Sequence, residues 1–114
     1  MKVYKITKDD CTDFYTGKVK YEVGKTLIHP DPDKSSQLCS RGFHVSPSPL
    51  AAVGYNRPGR LFECKVEKEH ILAQDSTKFR VSQLLVVKEL NKHLVYGPNG
   101  KKVVKKIEDR KSVV

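Results

Sequence analysis

An alternation between apolar and charged side chains over residues 62–67, within the segment "LFECKVE", constrains the fold of this chain more than any other feature. Successive side chains of a β-strand point to opposite faces of a sheet, so this alternation predicts a strand with one buried and one polar face. The predicted buried face carries Phe62, Cys64 and Val66, and the predicted polar face carries Glu63, Lys65 and Glu67. We therefore expect a fold that is rich in β-structure.

Four further segments have strand patterns. "VYKI" over residues 3–6 alternates in the same way, and "RGFHV" over residues 41–45 predicts a short strand after a glycine. "KYEVGKTLI" over residues 20–28 is interrupted by Gly24, where we expect a turn or bulge with positive φ. "KFRVSQLLVVKEL" over residues 78–90 contains the densest apolar run, and its β-branched residues favour a central strand.

One short helix is predicted over residues 49–55, "PLAAVGY". Ser48 can cap the exposed amides of a helix, and Pro49 suits the first helical position. Near the other end of the chain, "GPNG" over residues 97–100 predicts the turn of a hairpin. The sequence thus predicts an α+β, mainly β fold: a curved, mostly antiparallel sheet with one short central helix and a C-terminal hairpin.

The length and charge of the chain indicate one domain with a basic extension. The chain has 114 residues, with 22 Lys and Arg against 13 Asp and Glu, a net charge of +9. Residues 91–114 hold seven basic and two acidic residues, so this segment alone carries +5. We expect residues 1–90 to form a single globular core and residues 91–114 to be a basic hairpin and tail appended to it.

Composition also limits the partners that we expect. The sequence contains no apolar run long enough for a membrane helix and no signal-peptide pattern, and its three cysteines are far apart. These features predict a cytoplasmic protein with reduced thiols and no membrane association. The excess positive charge predicts at most weak, salt-sensitive binding to nucleic acid.

The stretch "LCSRGFHVSPSPL" over residues 38–50 is the candidate site, because it combines a cysteine, an arginine and a histidine. Cys39 and His44 could act as a nucleophile and its base, or the stretch could simply be a strand that leads into a capped helix. On a strand, His44 would point away from the face that Phe43 and Val45 share. Cys11, His29, Cys39 and His44 could supply zinc ligands, but they lack close paired spacing, so we predict no metal site.

Several blocks of the sequence resemble an uncharacterised family of small phage and bacterial proteins. These blocks are "YEVGK" at residues 21–25, the "C-x-x-G-F-H" pattern at residues 39–44 and "KFRVSQLLVVKEL" at residues 78–90. The order of segments is more distantly similar to the ADP-ribosyltransferase-like fold, in which a strand ending in a hydroxyl residue leads into a short helix. That resemblance would match Ser46, the helix that starts at Pro49, and the "LFECKVE" strand.

These observations leave three functions open. We expect first a small intracellular binding or interaction module, derived from a phage, that acts on a host protein, a nucleotide or nucleic acid. The alternatives are an NAD-dependent enzyme of the ADP-ribosyltransferase type, as the resemblance implies, and a basic, non-specific nucleic-acid binder. We expect no cofactor, except NAD if the enzyme alternative holds, and the sequence identifies no catalytic residue. The candidate ligand- or partner-binding residues are Tyr21, Cys39, Arg41, His44, Ser46 and Tyr55.

Overall fold

The computed structural model describes residues 1–54 and 58–91, which form two antiparallel sheets and one short α-helix. The strands are β1 (Lys2–Thr7), β2 (Thr26–Ile28), β3 (Phe43–Val45), β4 (Arg60–Lys65), β5 (Ile71–Gln74), β6 (Phe79–Val81) and β7 (Gln83–Leu90). The helix α1 spans Pro49–Val53, and a 3-10 turn spans Lys68–His70. The predicted fold class, mainly β with antiparallel strands and one short helix, is confirmed. The predicted C-terminal hairpin lies outside the described residues.

The two sheets have different strand orders. The first has the order β1-β4-β7-β2 and the second has the order β3-β6-β5, and all neighbouring strands are antiparallel. The prediction of a single strand over residues 78–90 is wrong, because the segment divides at Ser82 between the two sheets. The amide of Ser82 donates to the carbonyl of His70, and the carbonyl of Ser82 accepts from the amide of His29. The backbone of Ser82 therefore takes no part in the strand pairing of either sheet. The predicted central position does hold for β7, which lies between β4 and β2.

The larger hydrophobic core includes the predicted buried face of β4. Phe62, Cys64 and Val66 are almost fully buried there, as the alternation predicted. Glu63 is also buried, although it was assigned to the polar face. It lies between β1 and β7, opposite Tyr4 on one side and Lys88 on the other. Because β4 is an inner strand, neighbouring side chains shield both of its faces.

The helix covers a second, smaller core on the other side of the first sheet. Ala52 and Val53 of α1 pack with Ile6, Leu61 and Leu90. In the described residues, no helix has the length and apolar character needed to cross a membrane. Through this packing, α1 covers one end of the first sheet.

Two other local predictions are confirmed, and one segment was missed. Gly24 has a φ of 88°, and its amide donates to the carbonyl of Val86, so a positive φ is needed where the chain enters β2. Ser48 caps α1, with Pro49 at its first turn, although α1 ends at Val53 and Tyr55 lies outside the described residues. The strand β5 was not predicted, because its four residues show no alternation between apolar and polar side chains.

Replacing Ser48 with alanine should lower the free energy of unfolding by about 1 kcal/mol, the usual contribution of a helix cap. The Ser48 hydroxyl accepts a hydrogen bond from the amide of Ala51 at 3.2 Å, and alanine cannot replace this acceptor. Urea denaturation measures the change. Ser36→Ala, at an exposed position, is the matched control and should shift stability by less than about 0.5 kcal/mol. Equal stability of the two variants would contradict the capping role.

Candidate functional site

A cleft with a volume of about 570 Å³ opens where the first strand of one sheet meets the first strand of the other. Its walls come from β1, the loop at residues 14–15, the loop at residues 39–40, β3 with Ser46, the start of α1, and residues 77–78. A smaller cavity of about 270 Å³ lies beside it. The two share Lys5, Tyr15, Ser40 and His44, so we treat them as two compartments of one site, called here the cleft and the side cavity.

Backbone hydrogen bonds between β1 and Ser46 fix the base of the cleft. Tyr4 and Ser46 exchange two of them, at 2.7 and 2.8 Å. Lys5, the next residue of β1, donates from Nζ to the carbonyl of His44 at 2.8 Å. The ends of the two sheets are therefore joined at this point, and the cleft is built on regular structure rather than on loops alone.

His44 lies between the two compartments with one ring nitrogen engaged. Its Nε2 lies 2.9 Å from the carbonyl oxygen of Ser40, which can only accept, so Nε2 carries the proton. Its Nδ1 is buried and has no hydrogen-bond partner in the part of the chain that the structure describes. Burial lowers the pKa of His44, and the charges of Lys78, Lys5 and Arg80 lower it further, although the bond to Ser40 opposes them. The neutral ring thus presents an unpaired acceptor.

A thiol and an ammonium group lie close together on the cleft wall. Lys78 Nζ is 3.2 Å from the Sγ of Cys39, whose side chain is exposed. Both residues line the cleft. This contact links the loop at residues 39–40 to the turn that precedes β6.

Two aromatic residues lie on the opposite wall, on a loop that Asp13 organises. Tyr15 is 88% exposed and its ring centroid is 6.1 Å from that of His44, while Phe14 is 39% exposed. The Asp13 carboxylate accepts hydrogen bonds from the amide and hydroxyl of Thr16 and from the amide of Val19, at 2.8 to 3.0 Å. The base of the loop is therefore fixed, and the ring of Tyr15 extends from it into solvent.

The loop that carries Cys39 and Ser40 is held from beneath by Arg80. This guanidinium is fully buried and donates to the carbonyls of four residues on the loop, at 2.5 to 2.7 Å. The four acceptors are Asp33, Ser35, Gln37 and Arg41. Gly42 packs against the same side chain: it has a φ of 148°, and a Cβ at this position would lie 2.9 Å from Arg80 Cγ. Arg80 thus sets the shape of one wall of the site.

Acid should weaken this wall of the site. Hydrogen bonds from Ser40 and Ser35 lower the pKa of Asp33 from 3.8 to about 2. A carboxyl whose folded pKa is depressed stabilises the fold above its unfolded pKa, and this stability is lost as the pH falls from about 4 to about 2. Asp33→Asn should therefore flatten the stability profile between pH 4 and pH 2, as measured by urea denaturation at each pH. Asp9→Asn is the control, and equal flattening in both variants would contradict this assignment.

Comparison with known proteins places the chain in a family. Residues 1–96 match the family described as a domain of unknown function, DUF7666. The chain belongs to the DUF7666 family. The matched region contains every strand of both sheets and the residues that line the cleft and the side cavity. Neither a curated protein nor a solved structure matched the chain.

Within the DUF7666 domain, three of the six candidate residues line the cleft: Cys39, His44 and Ser46. Arg41 lines the side cavity and forms an exposed ion pair with Asp31 at 3.3 Å. Tyr21 backs the side cavity but is only 1% exposed, because it packs in the core against Phe62. Tyr55 lies outside the described residues.

Two lysines and one tyrosine of the cleft wall were not predicted from the sequence. Lys5, Lys78 and Tyr15 line the cleft but are distant from one another in sequence. The only available signal was "DFYTGK" at residues 13–18, which places two adjacent aromatic residues in a polar turn segment. Over residues 1–54 and 58–91, no three His, Cys, Asp or Glu side chains are grouped as metal ligands would be.

Proposed function

We propose that this DUF7666 protein is a binding module whose cleft takes a nucleotide: a phosphate-bearing ligand with a flat, stacking ring. The observation that carries the proposal is the composition of the cleft wall. Lys5 and Lys78 contribute positive charge, Tyr15 contributes an exposed ring, and no carboxylate occurs among the described residues that line the cleft. This combination favours an anionic ligand with an aromatic group.

The charge of the cleft supports the binding of a phosphate group. A cleft lined by one sign of charge focuses the electric field and raises the local concentration of oppositely charged ligands. A lysine ammonium has three donors and is a common partner of phosphate oxygens. Lys78 brings its ammonium to the wall beside the exposed Cys39, where a ligand phosphate could reach it.

The loop at residues 14–15 supports the stacking of a flat ring of the ligand. Stacking of a base on an aromatic side chain contributes about 1–3 kcal/mol and tolerates any base, because every base has a π-face. Tyr15 is suited to such stacking, since its ring is largely exposed while Asp13 holds the base of its loop. A ligand would therefore find this loop already folded.

The two alternative functions stay predictions. The resemblance to the ADP-ribosyltransferase-like fold makes NAD a second probe of the same cleft, and an enzyme of this type would break NAD down rather than only bind it. The nucleic-acid alternative depends mainly on the charge of residues 91–114, most of which lie outside the described residues. The phage origin, the cytoplasmic location and a host-protein partner are likewise expectations from the sequence.

Titration with AMP, GMP, CMP, UMP and NAD, followed by NMR and calorimetry, tests the proposal. We expect at least one nucleotide to bind and to perturb the signals of Tyr15 and His44. Lys78→Ala and Tyr15→Ala should each weaken this binding about tenfold, the equivalent of one phosphate contact or one stacked base. Lys68→Ala, which removes an exposed lysine outside the cleft, is the matched control and should bind as the unmodified protein does.

Two results would change the assignment. If none of these compounds binds at concentrations up to about 1 mM, the cleft is not a nucleotide site. If NAD is bound and hydrolysed, the enzyme alternative takes precedence over simple binding.

A further inference from the structure

We infer that His44 selects, among nucleotides, those whose ribose carries free hydroxyl groups, because its buried Nδ1 is an acceptor with no hydrogen-bond partner among the described residues. This inference rests on the proposed function, since it concerns the same cleft. It adds the identity of the ligand's sugar and the residue that recognises it. The position of His44, the direction of its hydrogen bond to Ser40 and the character of the side cavity support it.

The position of His44 follows from strand geometry. Phe43 and Val45, its neighbours on β3, are buried in the larger core, so the His44 side chain lies on the other face of the strand. There it lines both the cleft and the side cavity. A ligand that occupied both compartments would pass this ring.

The hydrogen bond to Ser40 determines which atom His44 offers. Since the carbonyl of Ser40 can only accept, Nε2 is the protonated nitrogen, and Nδ1 keeps its lone pair. Burial disfavours a second proton on the ring, and the positive charges of Lys78, Lys5 and Arg80 disfavour it further. A buried acceptor without a partner is unfavourable, so a ligand hydroxyl that donates to Nδ1 would remove this penalty.

The side cavity has the size and the chemistry for a sugar. Its volume is about 270 Å³, and polar side chains on its wall include Thr16, Ser40 and Arg41. Tyr15, whose ring lies next to His44, is largely exposed and has room to shift as a ligand enters. Tyr15 lines both compartments, so a base stacked on its ring would lie next to the side cavity and near His44.

Paired ligands and paired variants test the inference. The probes are the tightest-binding ribonucleoside monophosphate from the titration above and its 2′,3′-dideoxy form. His44→Asn keeps an acceptor near the Nδ1 position, whereas His44→Gln keeps a donor near the Nε2 position and loses that acceptor. We expect the unmodified protein and His44→Asn to prefer the ribonucleotide by about tenfold, and His44→Gln to bind both forms within about twofold.

The possible failures are distinguishable. Equal binding of the two forms by the unmodified protein would overturn this inference and leave the proposed function standing. Absence of any nucleotide binding would overturn both. A ligand-independent measurement is the long-range ¹⁵N–¹H NMR spectrum of His44, which should show a protonated Nε2 and a bare Nδ1. A proton on Nδ1 in the free protein would overturn the inference whatever binds.

Discussion

Replacing Arg80 with methionine should lower the free energy of unfolding by about 3–5 kcal/mol, because removing one partner of a buried charged network leaves the other groups unsatisfied. Arg80 is fully buried, and its guanidinium donates to four backbone carbonyls of one loop. Methionine fills part of the space of the aliphatic stem but donates no hydrogen bond. Urea denaturation measures the loss, and hydrogen exchange should show the loop at residues 33–41 opening first.

A second arginine in the same region provides the matched control. Arg41 pairs with Asp31 at the surface, where both side chains are mostly exposed. Exposed ion pairs contribute little, so Arg41→Met should cost less than about 1 kcal/mol. A similar loss of stability for the two variants would show that Arg80 acts through general charge rather than through its buried hydrogen bonds.

Replacing Phe43 with alanine should also cost about 3–5 kcal/mol, the usual range for truncating a buried aromatic side chain. Phe43 is 6% exposed and packs in the larger core, with its ring edge-to-face against His29 at 5.5 Å between centroids. The substitution leaves a cavity beneath β3, which carries His44. We therefore expect weaker nucleotide binding as well as lower stability.

Phe14→Ala is the control for this prediction, because it removes the same side chain from a position that is 39% exposed. It should cost less stability than Phe43→Ala, because the Phe14 side chain is only partly removed from water in the folded protein. His44→Ala should lie closer to this control than to Phe43→Ala, since His44 projects from the opposite face of β3. If His44→Ala is as damaging as Phe43→Ala in denaturant melts, His44 is a core residue and its role in ligand selection fails.

The buried face of β4 and the start of α1 could be predicted because short-range rules decide them. The alternation at residues 62–67 identified Phe62 and Cys64 as core residues, and they are. Ser48 caps the helix because a serine hydroxyl can reach the amide three residues ahead, whatever the rest of the chain does. Glu63 could not be assigned in the same way, since its burial depends on the strands on either side of β4.

The candidate site was only partly predictable. The stretch at residues 38–50 does contribute Cys39, His44 and Ser46 to one cleft. Lys5, Tyr15 and Lys78 come from distant segments, and no spacing in the sequence relates them. Arg80 appeared as one more charged residue in a strand pattern, and only its burial reveals that it organises a loop.

By itself, the sequence determined the strands with clear alternation, the capped helix, the turn at Gly24 and the predominance of β-structure. These features depend on neighbouring residues, on the pleat of a strand and on backbone sterics. Only the tertiary structure decided that residues 78–90 divide at Ser82 between two sheets and that β1 meets β3 beside the cleft. Pairing between distant strands is fixed by the packing and hydrogen bonding of the whole chain, which no local pattern contains.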